Sequence, residues 1–233
     1  MHESEKYCAV IADMVDSTKM TTQERRKVQE ELQKFIDDYN IKFKSSIAVK
    51  INFSGGDQLQ TLFNNAHNAY EFACDFREKM FPVKFRIGLG VGNWSLDFPG
   101  DNTNKQDGTS YRNARKAYEH ARKFNKNIVL YSDSEMDAFV NVLIAQEYAI
   151  FNSQKPRQKE IFIEYKNMYP ICPTIKKESD VSSIFVDKGS QKDIAEKLGV
   201  SRQNINNIVR SGSIYNQRDL QGAIVLLLLN FYV

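Results

Sequence analysis

Apolar and polar positions alternate along this chain with two distinct periods, and the switches between them mark its elements. The first apolar run, Tyr7–Ala12, is short and continuous, as in a buried strand, and it stops at Asp13. Thr21–Lys42 follows, with Val28, Leu32, Phe35, Ile36 and Tyr39 at helical intervals and Thr21 and Glu24 at capping-box spacing. Ile47–Phe53 and Gln58–Phe63 read as two strands joined through Ser54-Gly55-Gly56-Asp57, a hairpin with glycines at its tip. Asn65–Met80 returns to the helical period and Val83–Gly92 reads as a strand. After a polar loop, Leu96–Thr109, a third helix is expected over Ser110–Phe124 and a short strand over Asn127–Tyr131. The order βαββαβ, then α and β, predicts an α+β fold whose first domain is a ferredoxin-like split sheet with helices on one face.

The pattern changes after that strand. Long helices are expected between Ser134 and Asn167, and Tyr169–Lys177 reads as a linker or irregular connection. In Gln191–Arg210 the residues Ile194, Ala195 and Leu198 form the apolar face of one helix, and Ile205, Ile208 and Val209 that of a second. Gly199 stands where a short turn requires a positive φ, and Ser201 stands where the second helix requires a cap. This spacing predicts a helix-turn-helix, and it leaves Arg202, Gln203, Asn204, Asn206, Asn207 and Arg210 for base edges and phosphates of DNA. Ala223–Val233 is apolar on all sides and is expected to be a covered or dimer-forming helix, too short to cross a bilayer. Residues 1–133 are thus expected to form the first domain, and residues 134–233 an all-α domain carrying the helix-turn-helix.

Composition supports ordinary globular domains. Of 233 residues, 42% are hydrophobic and 26% charged, which excludes a disordered chain as the default. The net charge of +3 is unevenly spread: Gln154–Arg218 holds twelve Lys/Arg against seven Asp/Glu, an excess of +5 and the sign that suits a phosphate backbone. The Met1–Lys6 opening is charged and does not resemble a signal peptide. Cys8, Cys74 and Cys172 are scattered, as are His2, His67 and His120, so no zinc spacing arises; reduced thiols and a cytoplasmic setting are expected, with no membrane partner.

The chemistry concentrates at two carboxylates. Asp13 ends the first strand and Asp57 sits at the tip of the central hairpin, and a split βαβ sheet places those two elements side by side. Paired carboxylates either share a proton or hold a divalent cation through oxygen, so Mg²⁺ or Mn²⁺ is the expected cofactor. Two metals held in this way serve phosphoryl and nucleotidyl transfer. Gly55 and Gly56 let the hairpin backbone approach a phosphate closely.

These motifs resemble known ones. Ile11-Ala-Asp13-Met-Val-Asp-Ser-Thr18 looks like the first metal motif of class III nucleotidyl cyclases. Ser54-Gly-Gly-Asp57-Gln-Leu-Gln60 looks like their second, and also like the GGDEF loop of diguanylate cyclases. Arg86-Ile-Gly-Leu-Gly-Val-Gly92 matches the strand that follows, and Tyr111-Arg-Asn-Ala-Arg115 aligns with the helix that brings a transition-state Asn and Arg to the cyclase site. Tyr111 occupies the Asn position, Arg115 stands in register with the Arg, and Asn113 lies close. Phe53 falls near the base-specifying Lys, with Lys50 three residues earlier. The resemblance implies a palm domain over roughly Tyr7–Tyr131. It implies metal ligands at Asp13 and Asp57, nucleotide contacts from Gly55, Gly56 and Lys50, and catalytic roles for Asn113 and Arg115. The whole layout is most similar to the SatD family.

The resulting expectation is a nucleotide-responsive DNA-binding regulator with a partly degenerate cyclase-like domain. Its partners are DNA and a nucleoside triphosphate or cyclic nucleotide, and it is expected to form a homodimer. Two alternatives stand beside it: an active metal-dependent nucleotidyltransferase or cyclase, and a non-catalytic DNA-binding or scaffold protein whose palm only dimerises.

Overall fold

The computed structural model describes residues 6–54, 58–94, 107–178 and 181–232. The chain divides into two compact units, residues 1–141 with 228–233, and residues 142–227. The first unit is built on a mixed five-stranded sheet. Its strands are β1 (Tyr7–Met14), β2 (Ile47–Phe53), β3 (Leu59–Phe63), β4 (Phe85–Gly92) and β5 (Ile128–Tyr131), in the spatial order β2-β3-β1-β4-β5. β1 is central and runs antiparallel to both β3 and β4, and β5 joins β4 in parallel. Helices α1 (Thr22–Lys42), α2 (Ala66–Met80) and α3 (Thr109–Lys123) connect the strands.

Local chemistry explains these boundaries. Thr21 accepts the Glu24 backbone N–H at 3.3 Å while the Glu24 carboxylate accepts the Thr21 N–H at 2.9 Å, so the capping box forms as its spacing predicts. Asn65 caps α2 by accepting from the Asn68 N–H. β2 is an edge strand with two register irregularities against β3, and Asn40 of α1 serves its open side. The Asn40 amide donates to the Ile51 carbonyl at 3.1 Å, and its oxygen accepts the Ile51 N–H at 3.0 Å. A side-chain amide thus stands in for a neighbouring strand, one way of guarding a sheet edge.

The alternation of β1 sends Cys8, Val10 and Ala12 to one side of the sheet and Ala9, Ile11 and Asp13 to the other. Ala9 and Ile11 pack with Val49, Leu62 and, from α3, Tyr111, Ala114 and Tyr118. α3 comes unusually close to β4. A Cβ on Gly88, Gly90 or Gly92 would run into the α3 backbone or the Thr109 side chain at successive turns, Tyr118, then Ala114, then Thr109–Ser110. The alternating glycines of Arg86-Ile-Gly-Leu-Gly-Val-Gly92 are therefore a groove cut for this helix.

The second unit contains α5 (Pro156–Met168), α6 (Gln191–Leu198) and α7 (Arg202–Ser211). The unit boundaries fall within α4 (Met136–Ser153) and α8 (Ile214–Phe231). It is not all helical. Thr174–Glu178 (β6) and Val181–Phe185 (β7) pair antiparallel where an irregular connection was expected. Pro173 and the lysines suggested a linker, but the β-branched residues Thr174, Ile175 and Ile184 favour extended chain. α8 is also longer than its apolar run implied, because Gln217, Arg218 and Gln221 are buried in its first half. Gln217 and Gln221 both donate to Glu147, at 2.8 and 2.9 Å, and Gln154 donates to Gln217 at 2.8 Å. The Arg218 guanidinium donates to the Tyr169 and Asp187 carbonyls. Among the described residues no helix is long and apolar enough to cross a membrane.

Ile161, Phe162 and Tyr165 of α5 bury Ile194, Ala195, Ile205 and Val209 of α6 and α7, and Leu198 and Ile208 pack at the margin. Gly199 ends α6 at φ 63, with its N–H returned to the Ala195 and Glu196 carbonyls. Ser201 opens α7 by accepting the Asn204 N–H at 3.2 Å. Ser201→Ala should cost about 1 kcal/mol by freeing that donor, with Ser201→Thr close to neutral. Thermal unfolding of the two variants checks this; equal stability of Ser201→Ala and the parent would show that the cap contributes nothing.

Candidate functional site

Asp13 lies at the end of β1, on the α3 side of the sheet, and it is half-buried. Its carboxylate accepts the Tyr118 hydroxyl of α3 at 2.8 Å. Directly opposite Asp13 in the sheet is Arg86, the first side chain of the glycine groove. The Tyr118 pKa is raised, by burial first and then by the Asp13 hydrogen bond and charge, while the positive charges of Arg122 and Arg86 act in the opposite sense. Tyr118 thus donates to the Asp13 carboxylate, while the charges of Arg86, opposite Asp13 in the sheet, and of Arg122 act on the Tyr118 hydroxyl. The Arg86 Nε is buried and has no hydrogen-bond partner among the described residues. A buried guanidinium nitrogen without an acceptor is costly unless something else supplies one.

The register also brings the central hairpin to this end of the sheet. Leu59, the first residue of β3, lies opposite Ala12, and the Ser54 N–H donates to the Gln58 carbonyl at 2.8 Å where the hairpin closes. Gly55, Gly56 and Asp57, expected to contact phosphate and metal, lie outside the described residues. Among those described, no group of three or more His, Cys, Asp or Glu side chains gathers around a common point. Asp13 offers the kind of oxygen ligand that could hold Mg²⁺ or Mn²⁺.

The other residues singled out in the sequence are distributed differently. Asn113 is only 3% exposed, and its amide donates to the Val91 carbonyl at 2.8 Å, which pins α3 to β4. Tyr111, at the position of the cyclase Asn, is buried in the α3–sheet core, and burial pushes its hydroxyl pKa up. Arg115 is exposed on the outer side of α3. Lys50 is exposed on β2, the far edge of the sheet from β4. Trp94 is partly buried against the core cluster of α3 and the sheet and meets Tyr7 edge-on at 5.3 Å. Asp16 adopts φ 59 and pairs with Lys19 at 3.1 Å, closing the turn after β1. The sequence reading missed Arg86 and Tyr118, and it weighed Arg122 both as a phosphate-facing charge and as part of an ordinary solvated helix face. Their signal was present: Ser110, Ala114, Tyr118 and Arg122 recur every four residues, and Arg86 heads the alternate-residue glycine series that faces that row.

In the second unit, Arg202, Gln203, Asn204, Asn207 and Arg210 are exposed on α7. Gln203 donates to Asn207 at 3.3 Å, so these two amides are aligned along one side of the helix. Asn206 is half-buried and accepts from Gln191 of α6 at 3.4 Å, which ties the two helices together. The base of α6 is fixed by Tyr169, whose hydroxyl donates to Asp193 at 2.5 Å and holds that carboxyl below its ordinary range.

Nothing among curated proteins matches the chain. A solved structure described as a bacterial light-regulated adenylyl cyclase is similar at 9% identity and a TM-score of 0.36, covering 89% of this chain and 97% of that one. The SatD family model matches residues 7–226, nearly the whole sequence, and the chain belongs to the SatD family.

Proposed function

We propose that this SatD-family protein is a nucleotide-responsive, DNA-binding regulator. In this reading the first unit is a ferredoxin-like, cyclase-related palm and the α6–α7 pair is a helix-turn-helix. The observation that carries the reading is α7 itself. It is a capped helix held on α6 by a left-handed glycine turn and an apolar seam, and its outward side presents Arg202, Gln203, Asn204, Asn207 and Arg210. Side chains of these types hydrogen-bond base edges in a major groove, and the arginines also reach phosphates.

The nucleotide half of the proposal rests on the corner formed by Asp13, Tyr118, Arg86 and Arg122. Arg86 and Arg122 would bring positive charge to a triphosphate, and Asp13 would hold a divalent cation that offsets phosphate charge. Binding without efficient turnover is favoured over an active cyclase. Of the two residues assigned to catalysis, the Asn113 amide is engaged by the Val91 carbonyl, and only Arg115 is exposed.

Arg202→Ala with Asn207→Ala tests the DNA-binding half. Each lost base-edge contact should weaken specific binding by about 1–3 kcal/mol. Fluorescence anisotropy on fragments selected by the parent protein should show that loss with the circular dichroism spectrum unchanged. Equal affinity of variant and parent would remove α7 as the reading helix.

A further inference from the structure

The β6–β7 hairpin takes no part in the nucleotide or DNA contacts proposed above. It is a two-stranded sheet, and among the described residues neither of its edges is paired. An isolated hairpin is marginal in water, and this one keeps Ile175, Ile184 and Phe185 exposed, at 64%, 45% and 42%. Ile175 lies opposite Ile184, so these two share a face, while Phe185 lies on the other face with Lys176, whose ammonium sits 3.4 Å from its ring centroid. Both faces are therefore partly apolar, and both are partly exposed.

The two edges differ in charge. β6 carries Lys176 and Lys177 and follows Pro173, and edge lysines with a flanking proline are devices that keep an open strand from pairing. β7 carries Ser182, Ser183, Ile184 and Phe185 without a lysine, an acid or a proline between them. One edge is guarded and the other is open.

We infer that the β7 edge pairs with β7 of a second copy of this chain, making a four-stranded antiparallel sheet across a two-fold axis. Self-pairing suits an edge that has no charge with which to select a partner of opposite sign. The two-fold passes beside Ser183, the midpoint of β7, so each Ser183 faces its own counterpart and Ile184 faces Ser182 of the second copy. Small neutral side chains meet at the axis, whereas the same arrangement through β6 would set lysines against lysines. In the resulting sheet both outer edges are the lysine-bearing β6 strands, so the assembly closes as a dimer and does not grow into a fibre. This inference goes beyond the proposed function and does not depend on nucleotide or DNA binding.

The test uses the full chain with Cys172, the exposed cysteine, replaced by serine. Sedimentation over a wide concentration range should give a dimer. Ser183→Lys should raise its dissociation constant by more than about tenfold, roughly 1.4 kcal/mol, by placing two ammonium groups at the axis. Ser183→Cys should be captured as a disulfide-linked dimer under mild oxidation, because directly opposed residues of an antiparallel pair lie about 4.5–5.5 Å apart at Cα. Ser182→Cys should be captured poorly, because its own counterpart lies diagonally at about 7–8 Å. A monomeric parent, a dimer indifferent to Ser183→Lys, or equal capture at 182 and 183 would each overturn the inference. A monomer in which Ser183→Lys alters DNA affinity would assign the hairpin to nucleic acid and overturn it as well.

Discussion

Gly90→Ala is expected to be the most damaging single-methyl change in the first unit. The added carbon would meet the backbone nitrogen of Ala114 and the carbonyl oxygen of Ser110, and neither can rotate away as a side-chain end could. α3 would have to lift from β4. That would strain the Asn113–Val91 hydrogen bond, at 2.8 Å, and loosen the packing of Tyr111, Ala114 and Tyr118 on the sheet. The expected cost is about 3 kcal/mol or more, at the upper end for overpacking. For a unit of this size that corresponds to a fall in Tm of roughly 6–12 °C. Gly199→Ala supplies the contrast. Gly199 has φ 63 but open space around its missing Cβ, so only the left-handed backbone penalty applies, about 1–2 kcal/mol. Calorimetry of both variants checks the ordering; Gly90→Ala as mild as Gly199→Ala would mean that α3 is not seated on the glycine groove.

The second large effect concerns the Asp13 corner. A ligand that binds only the folded state raises stability by RT ln(1 + [L]/Kd), about 2.7 kcal/mol at a hundredfold excess over Kd. Mn²⁺ with the cognate nucleoside triphosphate should stabilise the parent by that order, and Asp13→Asn should abolish the metal-dependent part. Arg86→Gln should weaken the nucleotide response while leaving a smaller response to Mn²⁺, because in the proposed reading it meets phosphate. Tyr118→Phe removes only the hydroxyl that holds the Asp13 carboxylate and should give a weaker response of the same kind. Thermal shifts with each of the four triphosphates measure all three. Identical shifts in the parent and Asp13→Asn would leave the corner as packing alone.

These expectations show where the sequence was legible. Elements with a local signature could be read directly: the Thr21–Glu24 box starts α1, and Ile47–Phe53 is a strand with the bounds its pattern predicts. Ile194, Ala195, Ile205 and Val209 are buried as their spacing requires. What could not be read depends on partners distant in sequence. The first half of α8 looked polar because Gln217, Arg218 and Gln221 are polar, yet their groups are satisfied by Glu147, Gln154 and backbone carbonyls far along the chain. Asn113 was a site candidate through its nearness to the cyclase Asn position, and its partner is a carbonyl on β4. The β6–β7 hairpin was hidden because its exposed faces break the apolar alternation by which strands are recognised. At the site, Asp13 could be found from the strand that it ends. Arg86 and Tyr118 emerged only once the α3 row was laid along the glycine groove.

In the proposed function one protein couples a nucleotide to DNA binding. Its most direct measurement is fluorescence anisotropy of the full chain on DNA, titrated with salt, in the presence and absence of Mn²⁺ and each nucleoside triphosphate or cyclic nucleotide. DNA binding should appear at low salt and fall steeply as salt rises, since phosphate contacts release counterions. One nucleotide should change the affinity of the parent by about 5- to 150-fold, a coupling of about 1–3 kcal/mol, and leave that of Asp13→Asn unchanged. Absence of DNA binding at low salt, or an affinity that no nucleotide alters, would contradict the proposed function.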